Sequence, residues 1–97
     1  MRIKKRPVVH PGRILERHYI EPLALSISEL SEKLGISRKT LSKIINEHTS
    51  VTPGMALRLS RAFNTTPELW LTLQQNYDLW HASHEFNEWK TVEAIAV

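Results

Sequence analysis

Apolar residues recur at three- and four-residue spacing along most of the chain, which is the spacing that puts them on one face of an α-helix. Strict alternation of apolar and polar residues, the signal of a strand, is nearly absent. Short polar loops separate the periodic segments, and each segment begins at a recognisable helix start signal. The pattern therefore predicts an all-α domain of five helices.

The first two predicted helices have clear ends. Pro11 opens the first helix and Pro22 ends it, because proline fits the first turn of a helix but not its interior. The apolar face of this helix consists of Ile14, Leu15, Tyr19 and Ile20. Ser26 and Glu29 form the S-x-x-E capping box of the second helix, and Gly35 is its C-terminal stop. Its buried stripe is Leu30 and Leu34.

Hydroxyl caps open the other three helices. Ser37 caps the third helix, and the fourth and fifth begin at Thr52-Pro53 and Thr66-Pro67. The predicted buried face of the fourth helix is Met55, Ala56, Leu59 and Ala62. The apolar stripe of the fifth helix is Trp70, Leu73, Tyr77 and Trp80. The last eight residues fit a short strand, a tail or a final helical turn equally well.

Composition narrows the class of protein. The 97 residues predict one domain, and the absence of cysteine excludes disulfides and thiolate chemistry. No segment approaches the ~18 apolar residues of a membrane span, and no apolar stretch follows the charged N-terminus as it would in a signal peptide. We therefore expect a cytoplasmic protein without a membrane partner.

Charge is distributed unevenly along the chain. The net charge is +3, but residues 1–46 contain ten Lys and Arg against four Asp and Glu, whereas residues 47–97 contain three against six. A basic half indicates a surface for a polyanion, although chance asymmetry of a solvated surface explains the charge alone equally well.

The second and third helices have the spacing of a helix-turn-helix, the unit that places a helix in the major groove of DNA. Gly35 permits the left-handed turn, and Ile36 fills the angle between the helices. An ordinary helical hairpin is the alternative. On a helical wheel Leu41, Ile44 and Ile45 point inward, and residues 35–46 contain no carboxylate. The outward face carries cationic, hydroxyl and amide groups, which are the groups that contact phosphates and base edges.

The segment LSEKLGISRKTLSKIIN resembles the helix-turn-helix of the phage-repressor class (Cro/C1, or XRE). Residues 10–82 more specifically resemble the HigA (VapI-like) antitoxins of addiction modules, through HPG, ALRL and ELWLTLQQNYDLW. This resemblance implies a five-helix, lambda-repressor-like domain with an extended C-terminal helix or tail. It also implies repression of the protein's own operon through operator DNA, and neutralisation of a HigB-like, mRNA-cleaving toxin of the RelE-like fold.

The family's DNA-contacting positions fall on the third helix, and the helical wheel adds one further residue near its end. The predicted DNA-binding residues are Ser37, Arg38, Lys39, Thr40, Ser42, Lys43 and Asn46. Two positions depart from the family's pattern. Ile27 replaces a glutamine that commonly contacts phosphate, and Ser31 replaces a small alanine, which we expect to loosen the helix packing slightly.

Three regions outside the helix pair carry weaker expectations. We divide the chain into a basic arm (residues 1–9), the helix-turn-helix domain (10–84) and a C-terminal tail (85–97), and the arm's RIKKR run could follow a DNA backbone. Arg58 and Arg61 could contact phosphates or pair with carboxylates such as Glu47 or Glu68. A homodimer interface is predicted at Trp80, Phe86 and Trp89, since aromatic residues are enriched in interface cores.

Catalysis and cofactors are not expected. His81, His84 and Glu85 could supply three metal ligands, but their spacing matches no zinc-peptidase motif, so we predict neither metal nor cofactor. No nucleophile–base pair or glycine-rich phosphate loop is present, and an enzyme is therefore not predicted. Two functions besides the autorepressing antitoxin stay open, namely an orphan transcriptional regulator without a toxin and a toxin-binding module with little DNA specificity.

Overall fold

The computed structural model describes residues 8–96, and the basic run predicted at residues 2–6 lies outside them. Five α-helices follow one another, and the described residues contain no strand, which confirms the predicted all-α class. The helices are α1 (Pro11–Leu15, continued by a π-helical turn, Glu16–Ile20), α2 (Ile27–Leu34), α3 (Arg38–Ile45), α4 (Pro53–Phe63) and α5 (Pro67–Glu85), with a final 3₁₀ turn, Glu88–Thr91.

The predicted caps determine where the helices begin and end. The Ser26 Oγ accepts a hydrogen bond from the Glu29 N–H at 3.0 Å, and the Glu29 carboxylate accepts one from the Ser26 N–H at 3.4 Å. Gly35 ends α2 with φ +70°, a left-handed conformation that favours glycine. Thr52 and Thr66 accept from the backbone N–H groups three residues later, as the sequence predicted for α4 and α5.

The core lies where all five helices meet, and Trp70 is its largest fully buried side chain. The remaining buried apolar residues are Leu15, Ile20, Leu30, Leu34, Leu41, Ile44, Ile45, Val51, Met55, Ala56 and Leu59. One expectation for α4 is wrong: Ala62 is exposed. Ser60 is buried instead, and its hydroxyl donates to the Leu57 carbonyl at 2.7 Å, so the buried polar group is satisfied.

Gln74 on α5 fixes the loop that follows α3. Its side chain is only 5% exposed, and its carbonyl oxygen accepts a hydrogen bond from the Val51 N–H at 2.8 Å. Its amide nitrogen donates to the Asp78 carboxylate at 3.0 Å. Since a buried amide with both ends bonded has one preferred orientation, this contact holds the α3–α4 loop against α5.

No residue of α5 after Gln74 is fully buried, and the chain after α5 is exposed. The three open alternatives for the C-terminus resolve into the 3₁₀ turn Glu88–Thr91, followed by residues 92–96 without regular secondary structure. The tail's apolar side chains are exposed, from 46% for Trp89 to 84% for Ile95. Among residues 8–96, no helix combines the length and apolarity required to cross a bilayer.

Candidate nucleic-acid interface

The third helix, α3, buries one face and exposes a basic one. Leu41 and Ile44 are 0% and 2% exposed and anchor the helix in the core. On the outer side Lys39, Lys43 and Asn46 are exposed and follow one another at four- and three-residue spacing. These three side chains therefore form one stripe along the helix. The stripe presents two ammonium groups and an amide without any carboxylate from α3 itself.

The N-terminal end of α3 adds an oriented hydroxyl group. The Ser37 Oγ accepts a hydrogen bond from the Thr40 N–H at 3.0 Å, and its own O–H donates to the Thr40 Oγ1 at 2.8 Å. The Thr40 hydroxyl proton is therefore directed away from Ser37. Ser37 serves as the cap, while Thr40 is exposed and has a hydroxyl available for donation.

Arg38 connects the two helices of the motif at this same end. Its Nη1 donates to the Ser28 Oγ at 3.3 Å, so the first turn of α2 lies beside the first turn of α3. Ser28 was not among the residues predicted to contact DNA. The capping box of α2 placed Ser28 in the first turn of that helix, but nothing in the sequence indicated its contact with Arg38. Ser42, in contrast, was predicted to face DNA but is half-buried, and it contributes less accessible surface than the other predicted residues.

Close backbone contact holds α3 against α1. A Cβ placed on Gly12 would lie 1.9 Å from the Ile44 carbonyl oxygen, so only glycine allows this approach. Arg13 adds a bridge between the two elements, because its Nε donates to the Glu47 carboxylate at 3.0 Å and its Nη1 donates to Glu16 at 3.1 Å. Glu47 lies two residues after the end of α3, so this bridge holds the C-terminal end of the helix against α1.

His10 lies at the start of α1, next to the contact between Gly12 and α3, and packs against α5. It is 2% exposed, its Nδ1 accepts a hydrogen bond from the Gly12 N–H at 2.9 Å, and its ring meets the edge of Tyr77 at 4.7 Å between centroids. Burial lowers the pKa of His10 below its usual 6.5, although Glu47, the Thr49 backbone and Asp78 act in the opposite direction. A protonated Nδ1 could not accept from Gly12, so the cap of α1 requires the neutral ring.

We expect the free energy of unfolding to fall as the pH is lowered through about 6.5. The folded protein binds the proton more weakly than the unfolded chain, because the pKa of His10 is lowered on folding. The stabilisation is complete above the unfolded pKa, declines as the pH falls, and levels off below the folded pKa. Urea unfolding between pH 8 and pH 5 measures this decline.

His10→Asn is the matched control for this pH dependence. Asparagine is a good N-cap and can accept from the Gly12 N–H, but it does not titrate in this range. The other histidines are unchanged, so the difference in stability between wild type and variant isolates His10. A difference that stays constant from pH 8 to pH 5 would contradict the assignment.

The two departures from the family's pattern have structural counterparts. Ile27 is half-buried and packs against the core, so this position offers no polar group. Ser31 is buried, and its Oγ donates to the Ser28 carbonyl at 3.0 Å. Because the hydroxyl is satisfied within α2, the structure gives no sign of the looser packing that we expected at Ser31.

Neither predicted carboxylate pair forms at Arg58. Its Nη1 donates to the Leu34 carbonyl at 2.7 Å and to the Gly35 carbonyl at 3.4 Å, which caps the C-terminal end of α2. Glu47 pairs with Arg13 instead. Arg61 is exposed and has no carboxylate within salt-bridge distance among residues 8–96. This cap was not predicted, because the contact of a side chain with the backbone carbonyls of a distant helix end leaves no charge pattern in the sequence.

The histidines near the end of α5 make local contacts. His81 Nδ1 lies 3.0 Å from the Glu85 carboxylate, and His84 Nδ1 lies 2.8 Å from the Trp80 carbonyl. The His84 ring also stacks on Trp80, with centroids 3.9 Å apart. Trp80 is half-buried, whereas Phe86 is exposed like Trp89, so the predicted interface residues differ in accessibility.

Comparison with known proteins places this geometry in a family. Residues 17–70, which include α2 and α3, match the helix-turn-helix family profile. The antitoxin HigA-1 of Vibrio cholerae is 35% identical over 88 residues, which cover 91% of this chain and 83% of that protein. The described helices and their order are those expected from the resemblance found in the sequence.

Solved structures agree with this placement. Antitoxin GraA in complex with its operator has a TM-score of 0.87 at 34% identity, covering 100% of this chain and 99% of GraA. Pseudomonas aeruginosa antitoxin HigA with the higBA promoter has a TM-score of 0.82 at 30% identity, covering 94% of this chain and 100% of that one. Helix-turn-helix regulators and antitoxins of this kind are DNA-binding proteins rather than enzymes. The chain therefore belongs to the helix-turn-helix family, in the group of the HigA antitoxins.

Proposed function

We propose that this protein represses its own operon by binding operator DNA through α3, and that it neutralises a HigB-like, mRNA-cleaving toxin encoded with it. The observation that carries the DNA-binding part is the exposed stripe of Lys39, Lys43 and Asn46 on a helix whose opposite face is anchored in the core. A rigid helix with cationic and amide groups on its outer face suits phosphates and base edges.

The assignment of individual contacts follows from accessibility. Lys39 and Lys43 bind phosphate or guanine, Asn46 pairs with a base, and Thr40 donates its free hydroxyl proton to phosphate. Arg38 acts beside Ser28, so the first turns of α2 and α3 together approach the DNA backbone. Ser37 contributes as the cap of α3, and Ser42, being half-buried, has the smallest part of this surface.

The protein acts as a homodimer in this proposal. Phe86 and Trp89 are exposed, and an apolar depression between Leu79, Ala82 and Trp89 adjoins them on α5. Burying such aromatic surface stabilises association. Two-fold symmetry would place two copies of α3 about 34 Å apart, one turn of DNA, and would require a palindromic operator.

Fluorescence-anisotropy titration tests the DNA-binding part. The labelled probe is a duplex from immediately upstream of the protein's gene, compared with a scrambled duplex at two salt concentrations. We expect selective binding of two chains per duplex, with affinity falling steeply as salt rises, because phosphate contacts release counterions. Equal, weak binding to both duplexes would contradict operator recognition and favour a toxin-binding module with little DNA specificity.

Co-expression tests the toxin-binding part separately. A neighbouring toxin gene should arrest growth when expressed alone and be tolerated when this protein is expressed with it. Rescue by the protein together with direct binding to the purified toxin supports neutralisation. Operator binding without any such rescue would instead identify an orphan transcriptional regulator.

A further inference from the structure

A groove on the side of α2 and α4 combines three cations with exposed apolar surface. We call it the α2–α4 groove, and its residues are Lys33, Leu34, Leu57, Arg58, Arg61 and Ala62. Leu57 is 57% exposed, which leaves an apolar side chain between the cations without cover. Among residues 8–96, none of the three cations has a carboxylate within salt-bridge distance.

The groove lies at the opposite end of α2 from the contact between Ser28 and Arg38. Arg58 contacts the C-terminal end of α2, whereas Ser28 and Arg38 meet at its N-terminal end. The eight residues of α2 span about 12 Å at 1.5 Å per residue. The groove also contains apolar surface, which phosphate binding does not require. Both points favour a protein segment over a second DNA contact.

Arg58 is oriented in advance for a carboxylate. Its Nη1 is held by the Leu34 and Gly35 carbonyls, which leaves Nε and Nη2 to donate elsewhere. Arginine has five N–H groups in a fixed plane, and two parallel donors match a carboxylate. Because the side chain is already ordered, binding a carboxylate here costs little additional conformational entropy.

Helix dipoles explain part of this arrangement but not all of it. Lys33 and Arg61 lie in the last turns of α2 and α4, where cations stabilise a helix terminus. That effect accounts for two cations in exposed positions. It does not account for Leu57, which lies in the same groove and is open to solvent.

The tail that follows α5 has the complementary chemistry. Phe86, Trp89, Val92 and Ile95 recur every third residue and are all exposed. Two carboxylates, Glu88 and Glu93, lie among them and are exposed as well. Lys90 lies between them, so residues 86–96 have two carboxylates, one ammonium group and a net charge of −1 beside their apolar side chains. The sign of this charge is complementary to that of the α2–α4 groove. A second groove, lined by Val51, Leu71, Gln74, Gln75, Asp78, Leu79 and Ala82, suits this tail less well, because its lining contains a carboxylate and no cation.

We propose that the α2–α4 groove binds the C-terminal tail of a second copy of this chain. The tail of each copy binds in the groove of the other copy, so the contact occurs twice in a symmetric dimer. Leu57 receives apolar side chains of the tail, while Arg58, Arg61 and Lys33 face its carboxylates. This inference rests on the dimer proposed above and adds the surface on which the tail docks.

Charge exchange between groove and tail tests the docking. The groove variant is Arg61→Glu, which leaves the Arg58 cap intact, and the tail variant is Glu88→Lys/Glu93→Lys. The control is Arg17→Glu, an exposed cation outside both regions with the same change in net charge. Sedimentation equilibrium of the full chain measures the dimer dissociation constant. We expect Arg61→Glu to raise the dimer dissociation constant about tenfold, because the reversed charge repels the carboxylates of the tail. Arg17→Glu should leave the dissociation constant near the wild-type value.

Mixing the variants separates docking from a general charge effect. In a heterodimer of the two variants, the unchanged acidic tail of the groove variant binds the unchanged basic groove of the tail variant. The basic tail of the tail variant then faces the groove that contains Glu at position 61. We therefore expect this heterodimer to be tighter than either homodimer. The mixture of Arg17→Glu with the tail variant should show no comparable preference.

The outcomes distinguish the two proposals. A wild-type chain that is monomeric at all concentrations would overturn both the dimer and the docking. A dimer that Arg61→Glu weakens no more than Arg17→Glu does would leave the dimer in place and overturn only the α2–α4 groove. An equal heterodimer preference in both mixtures would likewise overturn the groove as the docking surface.

Discussion

Gly12→Ala should destabilise the protein by about 3 kcal/mol, which is a large part of the stability of a domain of this size. The added methyl group would lie 1.9 Å from the Ile44 carbonyl oxygen and 2.8 Å from the carbonyl carbon, both of them backbone atoms of α3. Backbone cannot rotate away as a side chain can, so α1 and α3 must separate. Thermal unfolding should show a loss in Tm of about 12 to 24 °C.

Gly54→Ala is the matched control for this substitution. Gly54 also lies in the first turn of a helix, but the nearest atom to an added Cβ is the Thr52 hydroxyl oxygen at 4.0 Å. Alanine has the higher helix propensity and restricts the unfolded chain, so we expect a gain of about 0.5 to 1 kcal/mol. If both variants unfolded at the wild-type temperature, the close approach of α1 to α3 would be excluded.

The effect of Gly12→Ala should extend to DNA binding at temperatures where the variant is still folded. Separation of the helices displaces α3, whose C-terminal end is also held by the Arg13–Glu47 bridge. Operator affinity should therefore fall although no residue of the proposed DNA-binding surface has changed. The anisotropy titration described above measures this directly, with Gly54→Ala again serving as the control.

Local signals explain why the sequence predicted the helices well. Capping at Ser26, Ser37, Thr52 and Thr66 depends only on residues three positions apart, and each of these caps forms. The glycine turn at Gly35 is local in the same sense. Periodicity likewise predicted which face of α3 is buried, because Leu41, Ile44 and Ile45 repeat at helical spacing.

Contacts between distant segments could not be predicted in the same way. The approach of Gly12 to Ile44 depends on how α1 crosses α3, and the contact of Arg58 with the end of α2 depends on where α4 lies. Ala62 is a further example. Its spacing fits the apolar stripe of α4, but it lies at the end of the helix, where the side chain is exposed. For the interface, the sequence indicated the residues of α3 but not the position of Ser28 beside Arg38.

Lys39→Ala/Lys43→Ala should reduce operator affinity by about a hundredfold or more at physiological salt. Each lysine that neutralises one phosphate contributes about 0.9 to the slope of log K against log salt. Removing two per chain should therefore lower the magnitude of the slope by about 1.8 for one chain and about 3.6 for a bound dimer. Both side chains are exposed, and alanine favours helix, so the fold should be retained.

Arg17→Glu controls for net charge, because it changes the charge by the same two units at an exposed site outside α3. It should leave the slope nearly unchanged if the lysines act through contact rather than through the overall field of the protein. Comparison of the two duplexes then assigns the type of contact. An equal loss on operator and scrambled DNA indicates phosphate binding, whereas a larger loss on the operator indicates contact with base edges. Unchanged affinity for both duplexes would remove the exposed stripe of α3 from DNA recognition.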